Sequence, residues 1–191
     1  YPQNFYWSYE GVAGEGSWAR LVEKRHRQLV NKAAWLEDMQ PGKLLDVGAQ
    51  KGEFVWWMRR CGWQAEGVEI DNCVPNPAGM PIRYGDFLEL PFGNDAYDCI
   101  TMWAVLEHVY SPDAFVERVA ALLKPGGKFV GLVTNFDSIQ ARLYQMDDFP
   151  RHLTLFTRYS IGVLCRRHGL RLECTRTEQK IFGGRLSGGL V

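Results

Sequence analysis

Eleven residues constrain this chain more than any others: Leu44-Leu45-Asp46-Val47-Gly48-Ala49-Gln50-Lys51-Gly52-Glu53-Phe54. An apolar run closes on an acidic residue, two glycines follow four positions apart, and a helical apolar pattern begins. That order predicts a buried strand, a tight turn and a helix start. The glycines permit a sharp turn and let another group approach the backbone. Helix N-terminal amides facing the gap favour a polar ligand group. A second apolar run, Ala65-Glu66-Gly67-Val68-Glu69, also ends on an acid, 23 positions past Asp46. A spacing of roughly 20 residues is the one at which an acid reaches a ribose in nucleotide-type folds. Strand, glycine turn, helix, strand and acid together point to a ligand containing adenosine.

Dehydrogenase and P-loop readings fit less well. Gly48-Ala49-Gln50-Lys51-Gly52 lacks the G-x-G-x-x-G order, and no Gly-Lys-Ser/Thr is present. The chain has 191 residues, 46% apolar and 23% charged, enough for one domain with a substantial core. Lys+Arg and Asp+Glu are equal at 22, so no positive field draws nucleic acid, and no nucleic-acid partner is expected. The basic tract from Arg20 to Arg27 reads as a solvated helix face. No apolar run approaches a membrane span. Five cysteines without a C-x-x-C pair suggest neither a zinc site nor a disulfide framework. With no signal-peptide pattern at Tyr1, a cytoplasmic location is expected.

Along the chain, residues 1–40 form an aromatic and then helical segment, with a helix over 17–39 expected to act as part of a lid. Strands are expected at 43–48, 65–70, 81–84, 97–103, 128–134 and 170–176. Helices are expected at 52–61, 112–123, 137–145 and 158–168, with Ser111 as N-cap and Pro112 in the first helical position. Alternating strands and helices imply an α/β layered domain over 41–191 with a mainly parallel sheet.

Further motifs follow in order: Gly67-Val68-Glu69-Ile70, Gly85-Asp86-Phe87, Leu90-Pro91-Phe92, Tyr97-Asp98, Val105-Leu106-Glu107-His108-Val109 and Leu122-Leu123-Lys124-Pro125-Gly126-Gly127. Together with Leu44–Phe54 the series resembles the class I S-adenosylmethionine-dependent methyltransferases, and is similar to the ubiquinone-biosynthesis O-methyltransferase-like group. The likeness runs from about Gly42 to Leu172. It implies a Rossmann-like, doubly wound seven-stranded sheet of order 3-2-1-4-5-7-6, with strand 7 antiparallel or incomplete. It implies S-adenosylmethionine as cofactor and a small-molecule acceptor, a hydroxyl being the first expectation. The family usually shows D-x-G-x-G-x-G at the first motif, whereas Gln50 replaces the middle glycine here. A methyltransferase-like partner subunit without activity is the alternative, and a homodimer is allowed for.

Carried over residue by residue, Gly48, Ala49 and Gly52 would flank the methionine tail, and Asp46 would orient the loop and the ammonium region. Glu69 would accept from the ribose hydroxyls, with Ile70 beside it and Asp71 as competitor. Asp86 and Phe87 would meet the adenine, while Met102 and Trp103 would face the sulfonium or the base. Each has a plainer alternative: a turn carboxylate for Asp46 or Asp86 and core packing for Trp103.

A hydroxyl acceptor needs its proton removed, and imidazole is the side chain that titrates nearest neutrality. Of four histidines, His26 and His168 lie in charged helical tracts and are expected in solvent. His152, in the connection after the fifth strand, is the expected general base; His108 is the competitor. No metal is expected, since Ala104 stands where some ubiquinone-type relatives carry a further Glu before the Glu-His pair. Tyr6, Trp7, Tyr9, Trp18, Tyr144, Phe149 and Phe156 bracket the acceptor side as lid or as anchors.

Overall fold

A computed structural model describes residues 15–138 and 150–176 of the chain. Helix α1 spans Glu15–Ala33 and runs into a 3-10 turn, Ala34–Leu36. Strand β1 (Lys43–Val47), helix α2 (Glu53–Arg60), strand β2 (Gln64–Glu69) and strand β3 (Ile82–Tyr84) form the first half. Strand β4 (Tyr97–Trp103), helix α3 (Pro112–Leu122), strand β5 (Leu123–Leu132) and helix α4 (Arg158–Arg167) follow. The five strands are hydrogen-bonded in the order β3-β2-β1-β4-β5, every pair parallel. The strand order thus reverses between β1 and β4, where open α/β sheets build their sites. Among the described residues no helix is long and apolar enough to cross a membrane.

Alternation along the strands divides the core in two. Leu45, Val47, Val68, Ile100 and Met102 face α3 and α4, with Val116, Leu122 and Leu164. Leu44, Ala65, Cys99 and Trp103 face α1 and α2, with Leu29, Phe54 and Met58. Burial on both faces is what a parallel sheet covered by helices demands. Helix starts follow local chemistry. Ser111 Oγ accepts from the Ala114 amide, and Thr157 and Ser160 form a reciprocal capping box that opens α4.

Two expectations need correction. Residues 170–176, anticipated as a strand, join no sheet among the described residues, where side chains make the segment's contacts. Arg158 donates to the Thr175 carbonyl at 3.0 Å, and Arg176 lies over the Trp35 ring. Strand β5 begins at Leu123, five residues early, because Leu123 pairs with Tyr97 ahead of an irregularity at Pro125-Gly126-Gly127. Of the aromatics read as lid or anchors, Trp18 and Phe156 make packing contacts. Trp18 meets Trp56 edge-on at 6.2 Å, and Phe156 is buried beside Ile161 and Val133. The 137–145 helix, strand 7, Tyr6, Trp7, Tyr9, Tyr144 and Phe149 lie wholly or mostly outside the described residues.

The turn after β1 packs tightly on β2. The amides of Gly48 and Ala49 both donate to the Val68 carbonyl at 2.9 Å. Gly67, on β2, leaves room for this approach: a Cβ there would stand 2.5 Å from the Ala49 Cβ, which has no rotamer by which to retreat. Gly67→Ala is therefore expected to cost about 1–3 kcal/mol, the range of overpacked sites, read as a lower urea midpoint at unchanged slope.

Candidate functional site

The carboxyl ends of β1, β2 and β4 open on a cavity of about 250 Å³. Gly48, Gln50, Glu69, Ile70, Asp86, Phe87, Trp103 and His108 are among its lining residues. The sequence had singled out all of these except Gln50 as ligand contacts or base candidates. Asp46, Ala49, Gly52, Met102 and His152 do not line it. A larger concavity of about 440 Å³, lined by Lys43, Arg83 and Tyr97 among others, lies at the opposite ends of the strands. Sites in open parallel sheets form at the carboxyl ends, which makes the smaller cavity the candidate site.

Glu69 ends β2 with its carboxylate turned back to the loop. Oε2 accepts from the Gln50 amide at 2.8 Å, and Oε1 accepts from the Ile70 amide at 2.9 Å. The residue is 4% exposed, and burial raises its pKa above the ordinary range, opposed by the amides of Gln50, Asp71 and Ile70. A carboxylate offers about four acceptor positions, so capacity remains on the cavity side. Gln50 has φ 50° and Ala104, on the other wall, φ 57°. Left-handed backbone at a residue other than glycine persists only where its surroundings enforce it. At Gln50 the Glu69 bond is such a constraint.

Asp86 Oδ1 accepts from the Leu88 amide at 2.8 Å, an Asx turn that fixes the loop and leaves Oδ2 for another partner. The Phe87 ring sits 5.3 Å from Phe115. Trp103 meets Phe54 edge-on at 5.2 Å, and its Nε1 is buried with no hydrogen-bond partner among the described residues. Adjacent strand positions face opposite ways, so Met102 points into the α3 core where Trp103 points to the α1 side. Placing both on the ligand conflicts with that period. Gly52 (φ 80°) precedes α2 as its N-cap, and Ala49 is buried against Gly67.

Asp46 is 2% exposed and accepts from Thr101 Oγ1 at 2.7 Å across the β1–β4 pair. Behind it stands Lys32, which the sequence reading passed over; its ammonium lies 5.0 Å from the Trp103 ring centroid and 5.7 Å from that of Phe54. The signal was available: Lys32 falls three positions after the buried Leu29 and four before the buried Leu36. Burial pushes Asp46 up to about 6, opposed by Lys32 and Thr101, and pushes Lys32 down to about 8, opposed by Asp46 and Glu53. A lysine titrating lower in the fold than its ordinary 10.5 means that the unfolded chain binds more protons between the two values. Stability contributed by this group therefore rises with pH from about 8 towards 10.5. Subtracting the melting curve of Lys32→Met from that of the wild type across pH 7 to 10 should show this rise.

His108 and His152 meet at 4.9 Å between ring centroids. His108 Nδ1 lies 2.9 Å from the Arg151 carbonyl. A carbonyl only accepts, so Nδ1 carries the hydrogen and, in the neutral ring, Nε2 keeps the lone pair. Beside them the Glu107 carboxylate is buried, with Oε1 accepting from the Thr134 amide at 3.3 Å and Oε2 without a hydrogen-bond partner among the described residues. The main-chain carbonyl of Glu107 accepts from the Leu153 amide at 2.8 Å, which brings the His152 segment to the site. Burial raises the Glu107 pKa, opposed by its own backbone, the charge of His108 and Thr134. Ligand atoms of Glu107, His108 and His152 lie within 4.8 Å of one another, a group that could hold a metal ion; His152 is a third donor that sequence spacing did not reveal, and it removes the ground on which no metal was expected. His168, expected in solvent, has a side chain only 14% exposed, 3.2 Å from Asp113.

Comparison with known proteins adds a family. The family described as "Methyltransferase domain" matches residues 18–175. A ubiquinone biosynthesis O-methyltransferase of Chromobacterium violaceum is 28% identical over 155 residues, covering 69% of this chain and 65% of that protein. Its counterpart in Paramagnetospirillum magneticum is 31% identical over 100 residues, 48% of this chain and 40% of that protein. The chain spans less than half the length of several curated relatives it matches. Among solved structures, a Haloferax volcanii methyltransferase in complex with the Trm112 activator superposes with a TM-score of 0.71 at 20% identity. That superposition covers 87% of this chain and 78% of the other, and shows a shared fold.

Proposed function

Since the chain belongs to the S-adenosylmethionine-dependent methyltransferases, we propose that it binds this cofactor in the β1–β4 cavity and methylates a hydroxyl of a small-molecule acceptor. The observation that carries the proposal is Glu69, anchored by three backbone amides and lining the same cavity as Asp86, Phe87 and His108. Those residues fit three parts of one ligand. Glu69 retains acceptor capacity for a ribose, Asp86 Oδ2 for a base amino group, and Trp103 presents an aromatic wall to a cation. When bound, the cofactor supplies a methyl already activated by its sulfonium. The chain's own task is alignment and proton removal.

For the proton, His108 takes precedence over His152, reversing the order expected from the sequence. His108 lines the cavity, and its hydrogen bond to Arg151 leaves Nε2 as the acceptor. His152 stands behind it as the ring that packs against it. The hydroxyl preference is supported by the relatives named as ubiquinone biosynthesis O-methyltransferases. An inactive partner subunit is the weaker reading, because Gln50 keeps the loop on Glu69 despite the missing glycine. Calorimetric titration with S-adenosylmethionine and S-adenosylhomocysteine should give micromolar dissociation constants with and without a chelator. No heat at millimolar ligand would overturn the proposal.

A further inference from the structure

Loop 85–90 carries Asp86 and Phe87 to the cavity, yet it belongs to no strand or helix. Its internal bonds are few. The Asp86 carbonyl accepts from the amides of Glu89 and Leu90 at 3.0 Å, and the Asp86 side chain takes the Leu88 amide. The carbonyls of Phe87 and Leu90 are satisfied from elsewhere, by a single residue of α3. Arg118 Nε donates to the Phe87 carbonyl at 2.9 Å, and its Nη2 donates to the Leu90 carbonyl. The same guanidinium lies 5.8 Å from the Phe87 ring centroid and 5.9 Å from that of Phe92.

We infer that Arg118 is a positioning residue that fixes the base-binding loop, and so sets the selectivity of the cavity for adenine. The inference rests on the cofactor reading given above. Arg118 does not line the cavity and acts only through Phe87 and Leu90. Its planar fork reaches two carbonyls three residues apart at once, which holds the loop at both ends. A lysine ammonium keeps the charge and the stem but presents no fork. Charge-assisted bonds are the stronger kind, so one side chain suffices for a loop without a ladder. A loop held this way presents the Asp86 carboxylate at one height and angle. An exocyclic amino group can then donate to it, whereas a carbonyl at that ring position would face a carboxylate with no hydrogen between them.

The test compares binding of S-adenosylhomocysteine with that of S-inosylhomocysteine, in which a carbonyl replaces the amino group. The wild type is expected to prefer the adenosyl compound. In Arg118→Met the adenosyl affinity should fall about ten-fold or more, the scale of lost bonds to a charged group, and the preference should shrink with it. Arg118→Lys should melt close to the wild type and still show the reduced preference, which a purely structural role would not produce. An unchanged adenosyl-to-inosyl ratio in both variants overturns the positioning role, whatever happens to melting temperature. Loss of folding in both assigns Arg118 to stability alone and also overturns it. A wild type that binds neither compound defeats the cofactor reading, and the positioning role with it. A wild type that binds and discriminates, beside variants that discriminate equally, defeats the positioning role only.

Discussion

Once an acceptor is in hand, His108→Ala should lower kcat by about a hundred- to ten-thousand-fold, the range over which a positioned general base acts. Cofactor affinity should change little, because the contacts ascribed to ribose and base belong to Glu69, Asp86 and Phe87. His152→Ala should fall well short of that loss. Its ring packs on His108 at 4.9 Å without lining the cavity, so removing it loosens the base rather than deleting it. Arg151, whose carbonyl fixes the His108 tautomer, immediately precedes His152 in the chain, so some disturbance is expected through the shared backbone. Equal losses in the two variants would mean that the imidazoles act as a unit. Full turnover in His108→Ala, with normal cofactor binding, would return the base to His152 or remove it from histidine altogether.

The second large effect is on binding. Glu69→Ala should weaken S-adenosylmethionine by roughly ten- to a hundred-fold, the scale of 1.5–3 kcal/mol for a hydrogen bond to a charged group. Part of that loss travels through the loop, since the carboxylate also holds the Gln50 amide at 2.8 Å. Glu69→Gln separates the two routes. Its carboxamide oxygen can still accept from the Gln50 amide, which keeps the loop bond while its NH2 turns to the Ile70 amide and the charge toward the ligand is gone. The pH dependence has a definite sign. Burial raises the Glu69 pKa in the ligand-free protein, so affinity should decline on acidification sooner than for an exposed glutamate. Calorimetry across pH 5 to 8 on wild type and Glu69→Gln reads this directly, because the Gln variant loses the acid limb. Affinity unchanged in Glu69→Ala would remove this residue from the ribose role.

Much of this site was legible because glycine, acid and apolar alternation are local signals. The β1 turn and Glu69 at the end of β2 follow from local spacing, and the Gly85-Asp86-Phe87 loop from the family resemblance; all three line the cavity, whereas Asp46 does not. What was missed depends on long-range geometry. Met102 and Trp103 are neighbours in sequence, and only the pairing of β4 with β1 and β5 fixes which of them turns to the ligand side. His108 and His152 lie 44 positions apart, so their contact and their order relative to the cavity come from the docking of the Leu153 amide on Glu107. Leu170, Leu172 and Cys174 alternate as a strand would, but a strand is a pairing, and no single segment encodes its partner. Arg118 gave no local cue at all: an arginine on a helix is ordinarily solvated.

The bond between the Gln50 amide and Glu69 has a spectroscopic consequence. An amide proton held by a buried carboxylate resonates downfield of its neighbours and exchanges slowly with solvent. In this chain that proton sits on the cavity wall, one bond from the group proposed to grip a ribose. Any ligand that draws on the Glu69 oxygens takes electron density from the same acceptor, so the Gln50 resonance should move upfield in proportion to occupancy. A backbone signal at residue 50 therefore serves as a built-in gauge of what fills the cavity, readable without label, substrate or turnover on the ligand side.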